Sequence, residues 1–379
     1  MNFVECTMIF RKKNAYLCYI TQKKDLFVLE YDVFFVFLRH QKQRKMKYRK
    51  RFYTGFLLLL VMVSCSCKRS ATGNAASSGV TTSTASSREM PHFSADSAYK
   101  YVASQCDFGP RVPGTDAQKA CAKWLQNELL RQGAAVKLQE GEMTAYNGTK
   151  LPVINIMGSF NPDAKMRVLL ISHWDSRPFA DNDPDPAKRK QPVMGANDGA
   201  SGVGILLELA RLCNEKLPQV GIDIFLTDAE DYGAPDDWKG THDEKWWALG
   251  TQMWCKQAAK EGYRAQYGIL LDMVGSADAT FYREYYSERY AGSFVNEIWQ
   301  NAARLGYGDL FINQGGGGVT DDHVFVNRML QIPCVDIIDT RTDTDGTFCP
   351  EWHTTYDTID NISRETLGKV GRVLVSLLW

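Results

Sequence analysis

Carboxylate and imidazole side chains recur in this sequence directly after strand-like apolar runs. A single Asp in such a place usually caps a helix. A charge at the end of a buried strand is costly, however, unless a cation or another partner compensates it. Six such segments follow one another along the chain, and together they indicate a metal-binding site: His173–Asp175, the loop 195–202 with Asp198, Asp228–Asp231, Asp272, Asp321–His323 and Trp352–His353.

The donor set combines carboxylate oxygens with imidazole nitrogens. No CxxC or CxxH spacing occurs after residue 90, so we do not expect a cysteine zinc site. Such a set suits zinc with one open coordination position. Glu230 and Asp231 are adjacent and must point in different directions, so that one could bind a metal while the other faces the reacting atoms.

An alternation of strands and helices would bring these segments together. Continuous apolar strands separated by amphipathic helices indicate a mostly parallel sheet covered on both faces, with its chemistry at the carboxyl ends of the strands. The apolar runs lie at 153–156, 168–171, 222–226, 269–271 and 333–338. Helical periodicity occurs at 201–214, 245–261, 291–305 and 363–378, and Ser94 and Thr115 would cap two earlier helices.

Composition and charge narrow the functional class. The chain has 379 residues, of which 44% are hydrophobic and 23% charged, which excludes a disordered, collagen-like or small disulfide-scaffold protein. Residues 1–51 carry 13 Lys and Arg against 4 Asp and Glu, so the remainder is acidic. An acidic body argues against nucleic-acid binding, which needs clustered cations. We interpret Asp181–Lys190 as a charged surface loop.

The first 90 residues are expected to precede the catalytic body. We expect 1–45 to be a spurious extension, 46–67 a signal segment, 68–90 a flexible Ser/Thr/Ala/Gly tether and 91–379 the catalytic body. The apolar run 52–63 is too short to span a bilayer, which needs about 20 residues. Met62-Val63-Ser64-Cys65 resembles a bacterial lipoprotein box, which predicts an exported, periplasmic or membrane-anchored protein with a lipid on Cys65. A secreted soluble protein is the alternative.

The cysteines leave two interpretations open. Six of them follow residue 90, and their wide spacing permits up to three disulfides without indicating any pairing. Buried single thiols in a large core are an equally good interpretation.

Several segments, taken together, carry a family resemblance. GPRVPG at 109–114, GANDGASG at 195–202, AED at 229–231, LLDMVG at 270–275, DDHVFV at 321–326 and the late Trp-His pair resemble the zinc-dependent aminopeptidase and glutaminyl cyclase superfamily. The resemblance covers about 95–379. It implies a three-layer α/β/α sandwich with a central mixed, mostly parallel sheet, as in zinc exopeptidases.

Two branches of that superfamily imply different metal sites. In the aminopeptidase branch, two zinc ions are implied. His173, Asp198 and Asp272 would match one site, and Asp198 would bridge to Asp231 and His353 at the other. Glu230 would match the general base that activates water.

In the cyclase branch, one zinc ion is implied, with Asp198, Asp231 and His353 as its ligands. Glu230 would match the acid/base, and Asp272 and Asp321 two carboxylates linked to it by hydrogen bonds. Asp231 departs from the Glu usual in both branches, which shortens one ligand by a methylene.

Pocket residues favour the cyclase branch. Asp321 directly precedes Asp322, where aminopeptidases usually have an uncharged residue. Trp352, Phe348 and, on a looser match, Trp238 would form the aromatic substrate pocket of a cyclase.

The resemblance therefore predicts a glutaminyl-peptide cyclotransferase. It would convert the N-terminal Gln of exported peptides and proteins to pyroglutamate and release ammonia. A two-zinc aminopeptidase is the alternative, and a non-catalytic ectodomain is disfavoured because the base and every ligand are present.

Overall fold

A computed structural model describes residues 6–9, 17–22, 25–29, 90–235, 237–341 and 348–379. The chain divides into two units, Met1–Ser83 and Thr84–Trp379. In the first unit, the described residues form a three-stranded antiparallel sheet in the order β1-β2-β3, made of β1 (Cys6–Ile9), β2 (Leu17–Gln22) and β3 (Asp25–Leu29). The expected signal segment, and all of the expected tether except Met90, lie outside the described residues.

The second unit is built on a six-stranded sheet in the order β11-β8-β6-β7-β5-β4. Pairs β11/β8, β8/β6 and β6/β7 are parallel, whereas β7/β5 and β5/β4 are antiparallel. A short parallel pair, β9 and β10, lies apart from it. The strands are β4 (Ala135–Thr144), β5 (Lys150–Phe160), β6 (Arg167–His173), β7 (Gly221–Thr227), β8 (Tyr267–Asp272), β9 (Phe281–Arg283), β10 (Phe311–Gly315) and β11 (Cys334–Ile338).

The described part of the unit also has seven α-helices. Ser94 and Thr115 accept hydrogen bonds from Ser97 N and Gln118 N and so cap the first two helices as predicted. The helices are α1 (Ala95–Cys106), α2 (Asp116–Arg131), α3 (Ala200–Glu215), α4 (Leu249–Glu261), α5 (Tyr285–Arg304), α6 (Asp322–Phe325) and α7 (Arg364–Leu378).

Successive side chains along each strand point to opposite faces of the sheet, so the core forms two layers. On β6, Leu170 packs in the larger core cluster with Leu206 of α3. Its neighbours Leu169 and Ile171 belong to a second cluster with Trp254 of α4. Because successive strand residues point to opposite faces, the helices cover both sides of the sheet. The predicted three-layer α/β/α sandwich with a mixed, mostly parallel sheet is confirmed.

Parallel register brings the strand ends to one edge. His173 at the end of β6 pairs with Thr227 at the end of β7, and Ile338 of β11 pairs with Asp272 of β8. The loops that follow these strands therefore start side by side, where open α/β sheets place their ligands.

Several boundaries differ from the sequence-based expectation. The edge strand β4 was not predicted, because its largely exposed, charged residues lack an apolar run. The periodicity expected at 245–261 divides into a 3-10 turn at Glu244–Trp246 and helix α4, and α5 begins six residues earlier than expected, at Tyr285.

The cysteines of the second unit are thiols rather than disulfides. All six that follow residue 90 lie in the described part of the chain and are free, and five of them are buried. Among the described residues, no helix has the length and apolar character needed to cross a bilayer.

Candidate active site

Six strand ends and loops deliver the predicted residues to the carboxyl edge of the sheet. His173 and Asp272 are the last residues of β6 and β8. Glu230 and Asp231 follow β7, and Asp321 caps the N-terminus of α6. The two others lie in loops: Asp198 in the turn before α3 and His353 in a turn after β11.

Two buried carboxylates organise the loops that carry these side chains. Asp175 accepts hydrogen bonds from the backbone N–H groups of Glu230 at 3.1 Å and Asp231 at 3.2 Å. Asp357 does the same for Asn197 at 2.7 Å and Asp198 at 3.1 Å. Backbone amides that would otherwise be buried without partners are thus satisfied, and both loops are held in one conformation.

Left-handed backbone recurs at the site. Ala229 has φ 54°, Met273 has φ 49° and His353 has φ 56°. Non-glycine residues rarely adopt this conformation, and where they do it is often at functional sites. Here Ala229 and Met273 directly adjoin Glu230 and Asp272, so the turns that aim these side chains are locally strained.

Three of the residues form a group that we call the His353 triad: Asp198, Asp231 and His353. His353 Nε2 lies 3.1 Å from Asp231 Oδ1 and 3.7 Å from Asp198 Oδ2. All three side chains are buried, yet their donor atoms converge within 4.8 Å of one another. Buried carboxylates in such proximity need a positive charge between them.

A second group, the His173 triad, shares one carboxylate with the first. It consists of His173, Asp198 and Asp272. His173 Nε2 lies 2.9 Å from Asp198 Oδ1 and 3.1 Å from Asp272 Oδ1. A Cβ atom at Gly199 would lie 2.5 Å from His173 Nε2, so the turn can pass over the imidazole only because a glycine stands there.

Glu230 faces the same space as two further carboxylates. Burial, and next the charge of Asp321, raise the pKa of Glu230 well above its usual range. Burial and the charge of Asp272 likewise raise the pKa of Asp321 to about 7. The pKa of Asp272 rises to about 6, chiefly through burial and against a hydrogen bond from His173. Neighbouring carboxyl groups of this kind share protons readily.

These groups line a cavity of about 280 Å³. Its wall combines the carboxylates Asp198, Glu230, Asp231, Asp272 and Asp321 with His353 and the rings of Trp247, Phe348 and Trp352. The Trp352 ring stacks on the His353 imidazole at 3.8 Å between ring centroids, and Phe348 packs 4.5 Å from Trp352. The cavity thus offers an apolar wall beside a polar floor, the usual composition of a small-molecule site.

Comparison with known proteins defines the family. The model of peptidase family M28 matches residues 155–378, the segment that carries both triads. The chain belongs to peptidase family M28. This membership confirms the predicted resemblance to the zinc aminopeptidase and glutaminyl cyclase superfamily.

Solved structures and curated proteins of this superfamily carry different names. The M28 chain is 47% identical to a glutaminyl cyclase from Bacteroides thetaiotaomicron, covering 76% of this chain and 99% of that one with a TM-score of 0.75. It is 50% identical to a Zn-dependent exopeptidase from Parabacteroides distasonis, with the same coverage and TM-score. Aminopeptidase YwaD of Bacillus subtilis is 26% identical over 62% of this chain, which spans only 45% of that protein.

Most residues predicted for the site line this cavity of the M28 chain. Trp238 is placed elsewhere: its ring packs edge-on to Tyr146, 4.9 Å away between centroids. The cavity is lined instead by Trp247, in addition to Trp352, and the Trp247 ring runs nearly parallel to the His353 imidazole. Trp238 and Trp247 lie in one Trp-rich stretch, and the sequence alone offered no signal to choose between them.

Two charged residues of the M28 site were not predicted. Arg177 and Asp181 both line the cavity, and the Arg177 side chain is only 1% exposed. Asp181 opens the run that we interpreted as a charged surface loop. Its side chain is 12% exposed and Asp183 is fully buried, so that interpretation is wrong for these two residues. The sequence offered one signal for them: Arg177 and Asp181 are four residues apart and closely follow the strand that ends at His173.

Proposed function

We propose that this protein is a zinc-dependent glutaminyl-peptide cyclotransferase that acts on peptides and proteins with an N-terminal glutamine. The observation that carries the proposal is the buried carboxylate Asp321, which shares a cavity with Glu230 and Asp272 beside the aromatic wall. A cyclase needs such a proton-sharing group next to its acid/base, together with an apolar pocket for a glutamine side chain. The similarity to the Bacteroides thetaiotaomicron glutaminyl cyclase supports the same assignment.

The His353 triad fits a zinc ion by its donor chemistry. Two carboxylates and one imidazole are ligands that zinc takes, and three protein ligands leave one position for substrate. In the described part of the chain, the buried Oδ2 of Asp231 makes no hydrogen bond. A buried carboxylate oxygen without a partner calls for an explanation, and a bound ion would supply one. We propose one ion per chain, held by Asp198, Asp231 and His353.

The reaction closes a lactam. The α-amine of the N-terminal glutamine attacks its own side-chain amide carbon: a C–N bond forms, the bond to the side-chain nitrogen breaks, and ammonia leaves. Bound zinc would supply Lewis acidity to the amide carbonyl. Glu230 accepts the proton of the amine and delivers it to the departing nitrogen. Since its pKa is raised, the Glu230 carboxylate is a stronger base than an ordinary glutamate.

The surrounding residues supply orientation and exclude water. Trp352 and Phe348 would hold the glutamine side chain folded over the polar floor, where no water is consumed. Asp321 and Asp272 would exchange protons with Glu230 as it alternates between base and acid.

A two-zinc aminopeptidase is the second candidate, because the His173 triad offers a complete second donor set. One set of contacts favours a single ion. Among the described residues, Oδ2 of Asp231 has no hydrogen-bond partner, whereas His173 Nε2 already lies 2.9 Å from Asp198 Oδ1 and 3.1 Å from Asp272 Oδ1. A second ion would have to displace these contacts of His173.

Two matched peptides test the proposal. The purified protein is incubated with a Gln-initiated peptide and with its Leu-initiated counterpart, and ammonia, pyroglutamyl product and free amino acid are measured. We expect ammonia and pyroglutamate from the first peptide and no cleavage of the second. Release of free leucine without any ammonia would overturn the cyclase and establish the aminopeptidase.

For location, we propose export and anchoring through a lipid on Cys65. The support is the basic run, short apolar segment and Ser64-Cys65 pair in the sequence. Labelling with radioactive palmitate is expected to mark the natural chain and not the Cys65→Ala variant. Equal labelling of both would contradict the anchor.

A further inference from the structure

Arg177 is a buried guanidinium directly beside the His353 triad. Its Nη1 donates to the backbone carbonyl of Asp231 at 3.1 Å and to Oδ1 of the same residue at 3.1 Å. One nitrogen thus binds both the backbone and the side chain of Asp231, which restrains that carboxylate to one orientation. The other Asp231 oxygen, Oδ2, is the one without a hydrogen bond among the described residues.

The other edge of the same guanidinium holds Asp181. Nε and Nη2 of Arg177 each donate to one Asp181 oxygen at 2.7 Å, a bidentate ion pair. Asp181 Oδ1 in turn lies 3.5 Å from His353 Nδ1, and the backbone N–H of Asn182 donates to the His353 carbonyl at 3.1 Å. Through Asp181, Arg177 therefore reaches a second member of the triad.

The charge of Arg177 and its geometry have opposite effects on a bound cation. A guanidinium so close to Asp231 repels a divalent ion and competes for the carboxylate, so its charge alone would weaken metal binding. The hydrogen bonds of the Arg177 guanidinium, by contrast, orient Asp231 directly and orient the imidazole of His353 through Asp181. Groups that orient metal ligands in this way typically contribute about 10- to 100-fold to metal affinity.

We propose that Arg177 and Asp181 are positioning residues that preorganise Asp231 and His353 for one metal ion. The inference rests on the proposed metal site at the His353 triad, but not on which reaction that site performs. It also accounts for the short ligand at position 231: an aspartate held at both its carbonyl and its carboxylate has little freedom left to lose when a metal binds.

Substitutions at Arg177 separate geometry from charge. Arg177→Met removes both, whereas Arg177→Lys keeps the charge but cannot bridge Asp231 and Asp181 bidentately. The apparent dissociation constant for Zn²⁺ is measured by competition with a chromogenic chelator. We expect Arg177→Met to bind Zn²⁺ about 10- to 100-fold more weakly and Arg177→Lys to lose affinity as well. Tighter or unchanged binding by Arg177→Met would show that charge dominates and would overturn the proposal.

A spectroscopic measurement and a matched control guard against general destabilisation. The visible absorption of bound Co²⁺ reports ligand geometry, and we expect it to change in Arg177→Lys. Arg167→Met serves as control, because it removes a largely buried ion pair with Asp223 at the opposite end of β6. This control should keep both the Zn²⁺ affinity and the Co²⁺ spectrum; if it lost Zn²⁺ affinity as strongly as the Arg177 variants, the specific role of Arg177 would be refuted.

Asp181→Asn decides the matter should the Arg177 variants fail to fold. It keeps the side-chain size but removes one of the two oxygens that accept hydrogen bonds from Arg177, and it removes the negative charge beside His353. A loss of Zn²⁺ affinity supports the proposal, and an unchanged affinity contradicts it. Because Zn²⁺ affinity is measured without substrate, this result stands whether or not the Gln-initiated peptide is cyclised.

Discussion

The two triads share Asp198 and have the same kinds of donor, but their surroundings differ. The His353 triad is contacted by the guanidinium of Arg177, which is paired with Asp181, and by the aromatic ring of Trp352. Around His173 stand further carboxylates: Asp175 Oδ1 lies 3.5 Å from its Nδ1, and Asp272 contacts its Nε2. In the first group a guanidinium from outside the triad holds Asp231, whereas in the second the imidazole lies within 3.1 Å of both carboxylates.

We propose that this difference gives the two groups different tasks. Burial lowers the pKa of His173, but the neighbouring carboxylates raise it well above its usual value, so His173 would link the proposed metal ligand Asp198 to Asp272 and the other carboxylates near Glu230. In the His353 triad, Arg177 satisfies one Asp231 oxygen, and the other has no hydrogen bond in the described chain. The same residue types thus predict a metal site in one group and a proton network in the other.

The largest expected effect comes from removing one imidazole at a time. We expect His353→Ala to lose more than about 100-fold in Zn²⁺ affinity, since even residues that only orient a ligand contribute about 10- to 100-fold. The His173→Ala variant should keep the zinc ion at the His353 triad. Zinc per chain, measured by mass spectrometry after dialysis, checks both variants. Equal loss in the two would mean that both triads hold metal.

The next effect isolates the acid/base. Glu230→Gln keeps the size of the side chain but can neither accept nor deliver the proton, so we expect kcat to fall by about 10²- to 10⁴-fold. Zinc content should stay that of the natural chain, because Glu230 belongs to neither triad. Turnover near the natural rate would remove Glu230 from its role.

Replacing either of two tryptophans should have a smaller effect on activity, and the two variants serve as controls for each other. Trp247 lines the cavity and Trp238 packs on Tyr146. We expect Trp247→Ala to lower kcat/KM by about 3- to 10-fold, because an aromatic contact is worth about 0.5–1.5 kcal/mol. Trp238→Ala should change it less than about 2-fold, equivalent to less than about 0.5 kcal/mol. The reverse order would restore Trp238 as the pocket residue.

The smallest effect is a shift in pH dependence. Glu230 must be ionised to act as a base, so activity is lost as the pH falls through its raised pKa. Asp321→Asn removes a negative charge that contributes to this increase. We therefore expect the acid limb of the kcat/KM profile to move to lower pH. If the acid limb stayed in place or moved to higher pH, Asp321 would not be raising the pKa of Glu230.

The sheet and most of the site follow from local signals in the sequence. Apolar runs locate the buried strands, and the charges at the ends of those strands indicate a metal site. The choice of Asp198, Asp231 and His353 as its ligands came from the family resemblance. The edge strand β4 was missed because most of its residues are exposed and it therefore has no apolar run.

The supporting residues could not be predicted in the same way. Asp175 and Asp357 act through backbone N–H groups, and such contacts depend on how the loops fold rather than on residue spacing. Asp181 looks like a solvated charge in sequence, and only the three-dimensional position of Arg177 brings it into the site.

The central claim is that this M28 chain holds a single metal ion at the His353 triad. An anomalous difference map from crystals of the zinc-loaded protein, recorded at the zinc absorption edge, tests it most directly. We predict one peak per chain, in contact with Asp198, Asp231 and His353. A second peak of comparable height in contact with His173 and Asp272 would contradict the account and favour the two-zinc aminopeptidase.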